Sequence, residues 1–443
     1  MKYNWIIDEI ERIENRIISH RRILHEIAEV GSSLEKTLDY VKGELLKIGC
    51  EPIVVGKCGI SCLIEGAAKG DPFDEENVTT SFLSFTTSTN IDEKNITKVT
   101  QKIKKIPKNF KTVILRADMD ALPIPEKTNL SFKSTNGNMH ACGHDMHTAM
   151  LLGCAEVLAK NRDKFSGKIK LVFQGGEEIL EGALDMIENG VLCSPSVDFG
   201  AMIHVLTSTN LDTGTAIFAN SGVSAPSSDF FKITIKGISA HGGMPTNGID
   251  PSIPCAHIIL ALESLINREA SNPGDGLITI GEIHSGTAPN VISESATIKG
   301  TLRSFDEKTR KTLKKRLCEI VDMYSSAQKA SGKVEFTSGC PTLKNDEVLI
   351  EKGMQALNEV YSHIGTKSKP IVMSADSFPS RSYASEDFSY FSQKIPTVMV
   401  GICAGKKDDG YVHPLHHPQA KFDEKALLYG AIAYCTLGLK FLS

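Results

Sequence analysis

Several short stretches of this 443-residue chain gather side chains that bind soft cations or move protons near neutral pH. Asp118 and Asp120 stand one residue apart in LRADMDALPIPE, just behind an apolar run. MHACGHDMH packs His140, Cys142, His144, Asp145 and His147 into eight positions. FQGGEE places Glu177 and Glu178 directly after a second apolar run, His204 ends a third in AMIHV, and HPLHHP holds His413, His416 and His417. A borderline-soft divalent ion takes imidazole, thiolate and carboxylate together, and a hydrolytic centre with two ions needs such ligands plus room for water. Taken singly, each stretch has an ordinary structural reading. A lone Cys is a small core residue, a His in an apolar run is a satisfied core group, and paired acids are turn or surface residues. Their joint occurrence is what points to metal chemistry. The zincin spacing, the P-loop, Cys-x-x-Cys and the serine-hydrolase elbow are all absent.

The elements that must position these groups are read from periodicity. Ile6, Ile10, Ile13, Ile17 and Leu24 recur at helical intervals, predicting an amphipathic helix over 6–27, with a second over 34–48 closed by Gly49. Residues 60–65 read as a short strand. The apolar runs 112–115, 168–173 and 201–205 are bounded by turn residues, and a helix over 149–160 separates the first two. Strands alternating with helices predict an α/β fold with a mixed, mostly parallel sheet flanked by helices and ligands at the carboxyl ends of its strands.

The stretch 228–338 has a different grammar. A strand alternating through Phe231, Ile233 and Ile235 leads to a helix over 253–266, strands over 277–284 and 296–303, a helix over 306–329 and a strand over 333–337. That order, β-α-β-β-α-β, is the split ferredoxin-like unit. The expected layout is a catalytic domain over 1–222 and 341–443, interrupted by an inserted ferredoxin-like domain over 223–340. Helices over 347–361 and 425–439 and a strand over 397–401 complete the second part. Between 69 and 111 the composition shifts to Ser, Thr and Asn and then to a lysine cluster, which reads as a surface insertion. Its glycosylation-acceptor patterns at Asn77 and Asn95 are expected to be coincidental.

Composition excludes several classes of function. With 49 basic and 53 acidic residues the net charge is −4, which gives no footprint for nucleic acid or an anionic membrane surface. Hydrophobic residues at 41% and charged residues at 23% are those of a globular protein, not a fibrous or disordered one. The first residues lack the apolar core of a signal peptide, and no stretch approaches ~18 apolar residues. Eleven scattered Cys without paired spacing match reduced thiols, so a cytoplasmic protein is expected.

At this point the residues reach a family. The chain resembles the aminoacylase and hippurate hydrolase group of two-metal amidohydrolases, which includes the plant indole-acetyl-amino-acid hydrolases. The matching segments, in family order, are HRRILHEIAEVG, LRADMDALPIPE, MHACGHDMHTAMLLG, FQGGEE, GISAHGGMP, GTAPNVI with GTLRSF, SEDFSYF, and PLHHP followed by KFDE. The resemblance implies two divalent ions per chain (Zn, Mn, Co or Ni) held by Cys142, His144, Glu178, His204 and His416, with Glu177 as general base and Asp120 as a supporting acid. It also implies that His241, Asn290 and Arg303 face the substrate, an N-acyl amino acid whose amide is hydrolysed, and that the inserted domain pairs two chains into a homodimer. An exopeptidase or dipeptidase would use the same centre, and a non-catalytic scaffold would keep the ligands without turnover. Three features depart from the pattern: the 69–111 insertion, Gly175-Gly176 where relatives have Pro and Ala, and Met146 where Gly is usual. The first pair is expected to loosen the turn that presents the glutamates, and Met146 to crowd the pocket floor.

Overall fold

The apolar runs of the first half form the middle of an eight-stranded sheet. The computed structural model describes residues 3–68, 111–270, 274–365, 370–377 and 382–443; the insertion expected over 69–111, Lys111 apart, lies outside them with its two acceptor patterns. In chain order the strands are β1 (Ile53–Val55), β2 (Gly59–Glu65), β3 (Thr112–Asp118), β4 (Lys168–Gln174), β5 (Phe199–Leu206), β6 (Ala216–Phe218), β7 (Gly222–Ala225) and β8 (Ser227–Lys236). There follow β9 (Ala240–His241), β10 (Gly276–Ser285), β11 (Val291–Ile292), β12 (Ser295–Ser304), β13 (Ser331–Cys340), β14 (Leu343–Asn345), β15 (Val372–Ser374) and β16 (Thr397–Cys403).

The large sheet has the order β1-β2-β4-β3-β5-β16-β6-β15. Its middle strands β4, β3, β5 and β16 run parallel, while β2 pairs antiparallel with β4 and β6 antiparallel with β16. Parallel strands are covered on both faces, which is why their sequences read as continuous apolar runs. Val113, Leu115, Leu171 and Ile203 point into one core, shared with the helices Trp5–Ile27, His144–Lys160 and Ala426–Leu442. Their neighbours Ile114, Val172 and Met202 point into a second core with Met186, Phe388 and Phe391. The helix His144–Lys160 is buried on nearly every side, as its almost uniformly apolar sequence after residue 148 requires.

The segment between β8 and β13 forms a separate antiparallel sheet of order β10-β12-β8-β13. The helices Ser252–Glu269 and Glu307–Ala327 cover one face of it, and Phe231, Ile233, Ile258, Leu262, Ile298, Leu302, Leu313 and Leu317 fill the space between. This is the βαββαβ unit anticipated from the alternation. The chain enters it through β7 and leaves through β14, and those two strands pair antiparallel. Among the described residues no helix is long and apolar enough to cross a membrane.

Candidate metal centre

Five segments deliver the chemistry-bearing side chains to the carboxyl ends of the parallel strands. β3 ends at Asp118, with Asp120 two residues beyond, and the turn after β4 carries Glu177 and Glu178. The helix His144–Lys160 starts at His144, and Gly143 before it has φ +86°. A Cβ on Gly143 would lie 2.3 Å from Val205 Cγ2, so only glycine both turns the chain and lets Cys142 and His144 approach β5. His204 projects from β5 itself. His416 sits in the loop before the last helix with φ +64°, a left-handed conformation that costs a non-glycine residue about 1–3 kcal/mol and that concentrates at functional sites. Its amide donates to the carbonyl of Ala141 at 3.0 Å, tying the loop to the Cys142 segment.

The donor atoms converge. Cys142 Sγ lies 3.5 Å from His204 Nε2 and 3.2 Å from His416 Nε2. Glu178 Oε1 is 3.6 Å from His416 Nε2 and 3.9 Å from His144 Nε2. Two groups of three donors, each mutually within 4.8 Å, share the thiol: Cys142 with His144 and His204, and Cys142 with Glu178 and His416. Orientation is set from behind. His144 Nδ1 donates to the carbonyl of Asp120 at 2.8 Å and His204 Nδ1 to the carbonyl of Val205 at 2.8 Å, so each Nε2 turns a lone pair toward the cluster. Asp120 does not point at the donors. Its Oδ1 accepts the amide of Glu177 at 3.0 Å and its Oδ2 that of Glu178 at 3.1 Å, fixing the backbone from which both glutamates reach in.

The residues fit a pair of cations. His144 Nε2 and Glu178 Oε1 are buried with no hydrogen-bond partner, an expense that a ligated ion removes. Burial pushes the Glu178 carboxyl up to about 7, with Asp120 and Asp118 adding to the rise and His144 opposing it. Burial likewise lifts Glu177 well above the ordinary carboxylate range, assisted by Glu386 and Glu178. It also raises the Cys142 thiol and lowers His204 and His416. Protein groups alone thus favour the neutral thiol, the neutral carboxyl of Glu178 and neutral imidazoles at His204 and His416, while at His144 burial is outweighed by Asp118 and Cys142, which draw a proton onto it. Cations among these donors would take over that positive charge and favour thiolate and carboxylate ligands.

Comparison with known proteins places the chain in a family. Residues 114–440 match the family model described as peptidase family M20/M25/M40. The chain belongs to that family. It is 38% identical to the N-acetyl-L-cysteine deacetylase of Bacillus subtilis over 71% of each chain. It is 33% identical to thermostable carboxypeptidase 1 of Saccharolobus solfataricus over 98% of this chain and 97% of that one. Among solved structures, the YXEP protein of Bacillus subtilis, described as a dinuclear metal-binding M20 peptidase, aligns with a TM-score of 0.71 at 26% identity. That alignment covers 98% of this chain and 99% of YXEP.

Other residues singled out in the sequence of this M20 protein lie elsewhere. His147 accepts the amide of Val205 at 2.8 Å through Nε2 and holds Asp118 through Nδ1 at 2.5 Å, so it braces β5 against β3. Asp145 is bound by Arg21 and His25 of the first helix. His241 and Asn290 meet on the inserted unit, where β9 pairs with β11 and the amide of Gly242 donates to the Asn290 carbonyl at 2.8 Å. Both residues are exposed. Arg303 Nη1 donates to the carbonyl of Tyr383 at 2.7 Å and to Ser385 Oγ at 3.0 Å.

Two expectations drawn from departures are corrected. Met146 does not reach a pocket floor; it is wholly buried in the main core, because position 146 faces away from His144 on the helix. Gly175-Gly176 does not loosen the glutamate turn. A Cβ on Gly175 would lie 2.3 Å from Leu34 Cδ1, and Gly176 takes φ +73° while its carbonyl accepts the amides of Glu181 and Gly182. The turn is tight because glycine lets the backbone pack closely.

Sequence reasoning passed over Arg116, Gln174, Glu386 and Asp387. Fully buried Arg116 bridges Asp118, Glu386 and Asp387 at 2.7–3.0 Å. The available signal was an arginine inside the apolar strand VILRAD, which demands buried carboxylate partners, and SEDFSYF supplies two.

Proposed function

We propose that this M20 protein is a metal-dependent amidohydrolase that cleaves the amide of N-acyl amino acids, releasing a carboxylic acid and an amino acid. The observation that carries the reading is the thiol of Cys142 shared by two donor groups, with buried Glu177 beside them on a backbone held by Asp120. Cys142, His144 and His204 would hold one ion, and Cys142, Glu178 and His416 the other. Divalent ions supply Lewis acidity there and acidify a water at neutral pH.

Glu177 takes the proton of the attacking water on its carboxylate and returns it to the departing amine. Burial and the neighbouring acids Glu386 and Glu178 raise its pKa, which favours return of the proton, and cations at the adjacent donors would favour the ionised form that accepts it. Its amide hydrogen bond to Asp120 keeps the carboxylate aimed while the proton moves. His241 serves as donor to the developing oxyanion and Asn290 as a substrate contact. Arg303 takes the free carboxylate of the substrate, a planar fork being suited to paired hydrogen bonds. A thiolate donor favours Zn, Co or Ni over Mn. The inserted domain, whose outer strands β10 and β13 are unpaired on one side among the described residues, pairs two chains, and the chain works in the cytoplasm.

The likeness to a carboxypeptidase over almost the whole chain favours a second reading, a peptidase using the same centre. Metal analysis of the purified protein, followed by assay against a panel of N-acetyl and N-benzoyl amino acids and of free dipeptides, separates them. Two ions per chain with release of amino acid from the acylated substrates is the expected result. Cleavage confined to dipeptides assigns the peptidase, and inactivity on both with full metal sinks the enzymatic reading.

A further inference from the structure

One carboxylate holds both ends of the turn that presents the two glutamates. Gln174 is the last residue of β4, Ala183 lies in the helix Gly182–Glu188, and Glu177 and Glu178 fall between them. Asp387, from a segment more than 200 positions away, accepts Gln174 Nε2 at 2.8 Å on Oδ1 and 2.9 Å on Oδ2. Its Oδ2 also accepts the amide of Ala183 at 2.9 Å. Arg116 completes the clip, donating Nη2 to Asp387 Oδ1 at 2.9 Å and Nε to Gln174 Oε1 at 3.0 Å. Arg116, Gln174 and Asp387 are all fully buried, so none of these bonds competes with water. Asp120 pins the middle of the same turn through the amides of Glu177 and Glu178.

We propose that Asp387 is a positioning residue for the metal centre. It fixes the span between the ends of the turn, and so sets where Glu178 reaches toward a cation and where Glu177 meets the attacking water, while touching neither. This rests on reading Glu178 as a ligand. Glu177, Glu386 and Asp387 also lie within ligand distance of one another, but the Arg116 guanidinium already bridges Glu386 and Asp387 and supplies the positive charge a third cation would bring. The bonds that Arg303 makes to Tyr383 and Ser385 hold the residues just before Asp387 from the inserted domain.

The two donor groups make the proposal testable without turnover, because the bonds of Asp387 itself close on the turn that carries Glu178, whereas His144 and His204 stand on the helix His144–Lys160 and on β5. Asp387→Asn keeps the shape and removes the charge that gathers three donors. In the full-length protein, zinc affinities measured by chelator competition should show one of the two ions weakened about 10- to 100-fold and the other changed less than about threefold, as expected for loss of an outer partner of one ligand. For the N-acyl amino acid, kcat should fall about tenfold or more with KM held within about threefold. Equal weakening of both ions, or two ions at wild-type affinity with wild-type kcat, overturns the proposal. Should Asp387→Asn fail to fold, Gln174→Met breaks the clip from its other side and must give the same one-ion loss; equal loss again overturns it. A wild-type protein inactive on every N-acyl amino acid would sink the functional reading, while the one-ion asymmetry would still decide the clip.

Discussion

Cys142 and His416 are separated by 274 positions in the chain and by 3.2 Å in space. The thiol stands between the two donor groups, whereas the imidazole belongs to one of them. Cys142→Ala should therefore weaken both ions, and His416→Ala only one. Metal content of the purified variants after dialysis, by elemental analysis, is expected near zero for the first and near one ion per chain for the second. Equal content in the two would mean that the thiol is not shared.

Glu177 is held by its backbone amide, not by its carboxylate, so a neutral replacement leaves its placement intact. Glu177→Gln should keep two ions and lose about 10²- to 10⁴-fold in kcat, the usual range for a general base. Wild-type kcat under saturating metal would remove Glu177 from the proton-transfer role.

The central strands and the ferredoxin-like unit were legible because their apolar positions follow from burial: two covered faces give unbroken runs, and one covered face gives alternation. What escaped notice was set by contacts made elsewhere. The three-residue strands β6 and β15 carry too little pattern to read and exist because they extend a sheet already formed. The helix expected from residue 149 begins at His144, since its first turn is spent on polar residues that bind Asp118 and Asp120 rather than on helix-forming apolar ones. Residue types uncommon together marked the segments holding Cys142, His144, Glu178, His204 and His416 as metal chemistry, but only the family resemblance singled out these five among the neighbouring His, Asp and Glu residues. Asp387 had only the indirect signal of the buried Arg116, and Gln174 had none, because its importance lies in the carboxylate and guanidinium it meets from distant segments.

Gly143→Ala tests how closely the metal-binding turn is packed. The added methyl would meet Val205 Cγ2 at 2.3 Å and Phe422 at 3.1 Å, at a φ of +86° that alanine resists. Relief of the clash requires Cys142 and His144 to move off β5. A loss of about 2 kcal/mol or more in unfolding free energy is expected, in line with overpacking plus backbone strain, together with weakened binding of both ions. Denaturant titration and chelator competition measure the two effects separately, and retention of metal at wild-type affinity would show that the turn tolerates the shift.

The pH dependence of stability should carry the signature of His25, which the first helix buries against the back of the metal-binding helix. Its Nδ1 lies 2.9 Å from Asp145 Oδ2 and its Nε2 3.2 Å from Glu126 Oε2, so both ring nitrogens face carboxylates. Arg21 shares Asp145 at 3.1 Å, and the ring of His140 lies 6.1 Å away. Burial opposes a charge on this imidazole, but Asp145 and then Glu126 outweigh it and lift the pKa to about 9. The folded state therefore binds a proton that the unfolded chain, with an ordinary histidine pKa of about 6.5, holds less tightly. The contribution is fully present below about pH 6.5 and is lost as the pH rises through about 9, the opposite slope from that of a salt-bridged carboxylate. A shift of this size corresponds to roughly 3 kcal/mol at most. His25→Gln removes the titration while leaving one hydrogen bond possible. The difference in unfolding free energy between wild type and His25→Gln, measured at fixed metal and ionic strength, should narrow steadily from pH 6 to pH 9.5. A difference that stays constant across that range would mean that His25 is neutral in the folded protein and that Asp145 is balanced by Arg21 alone.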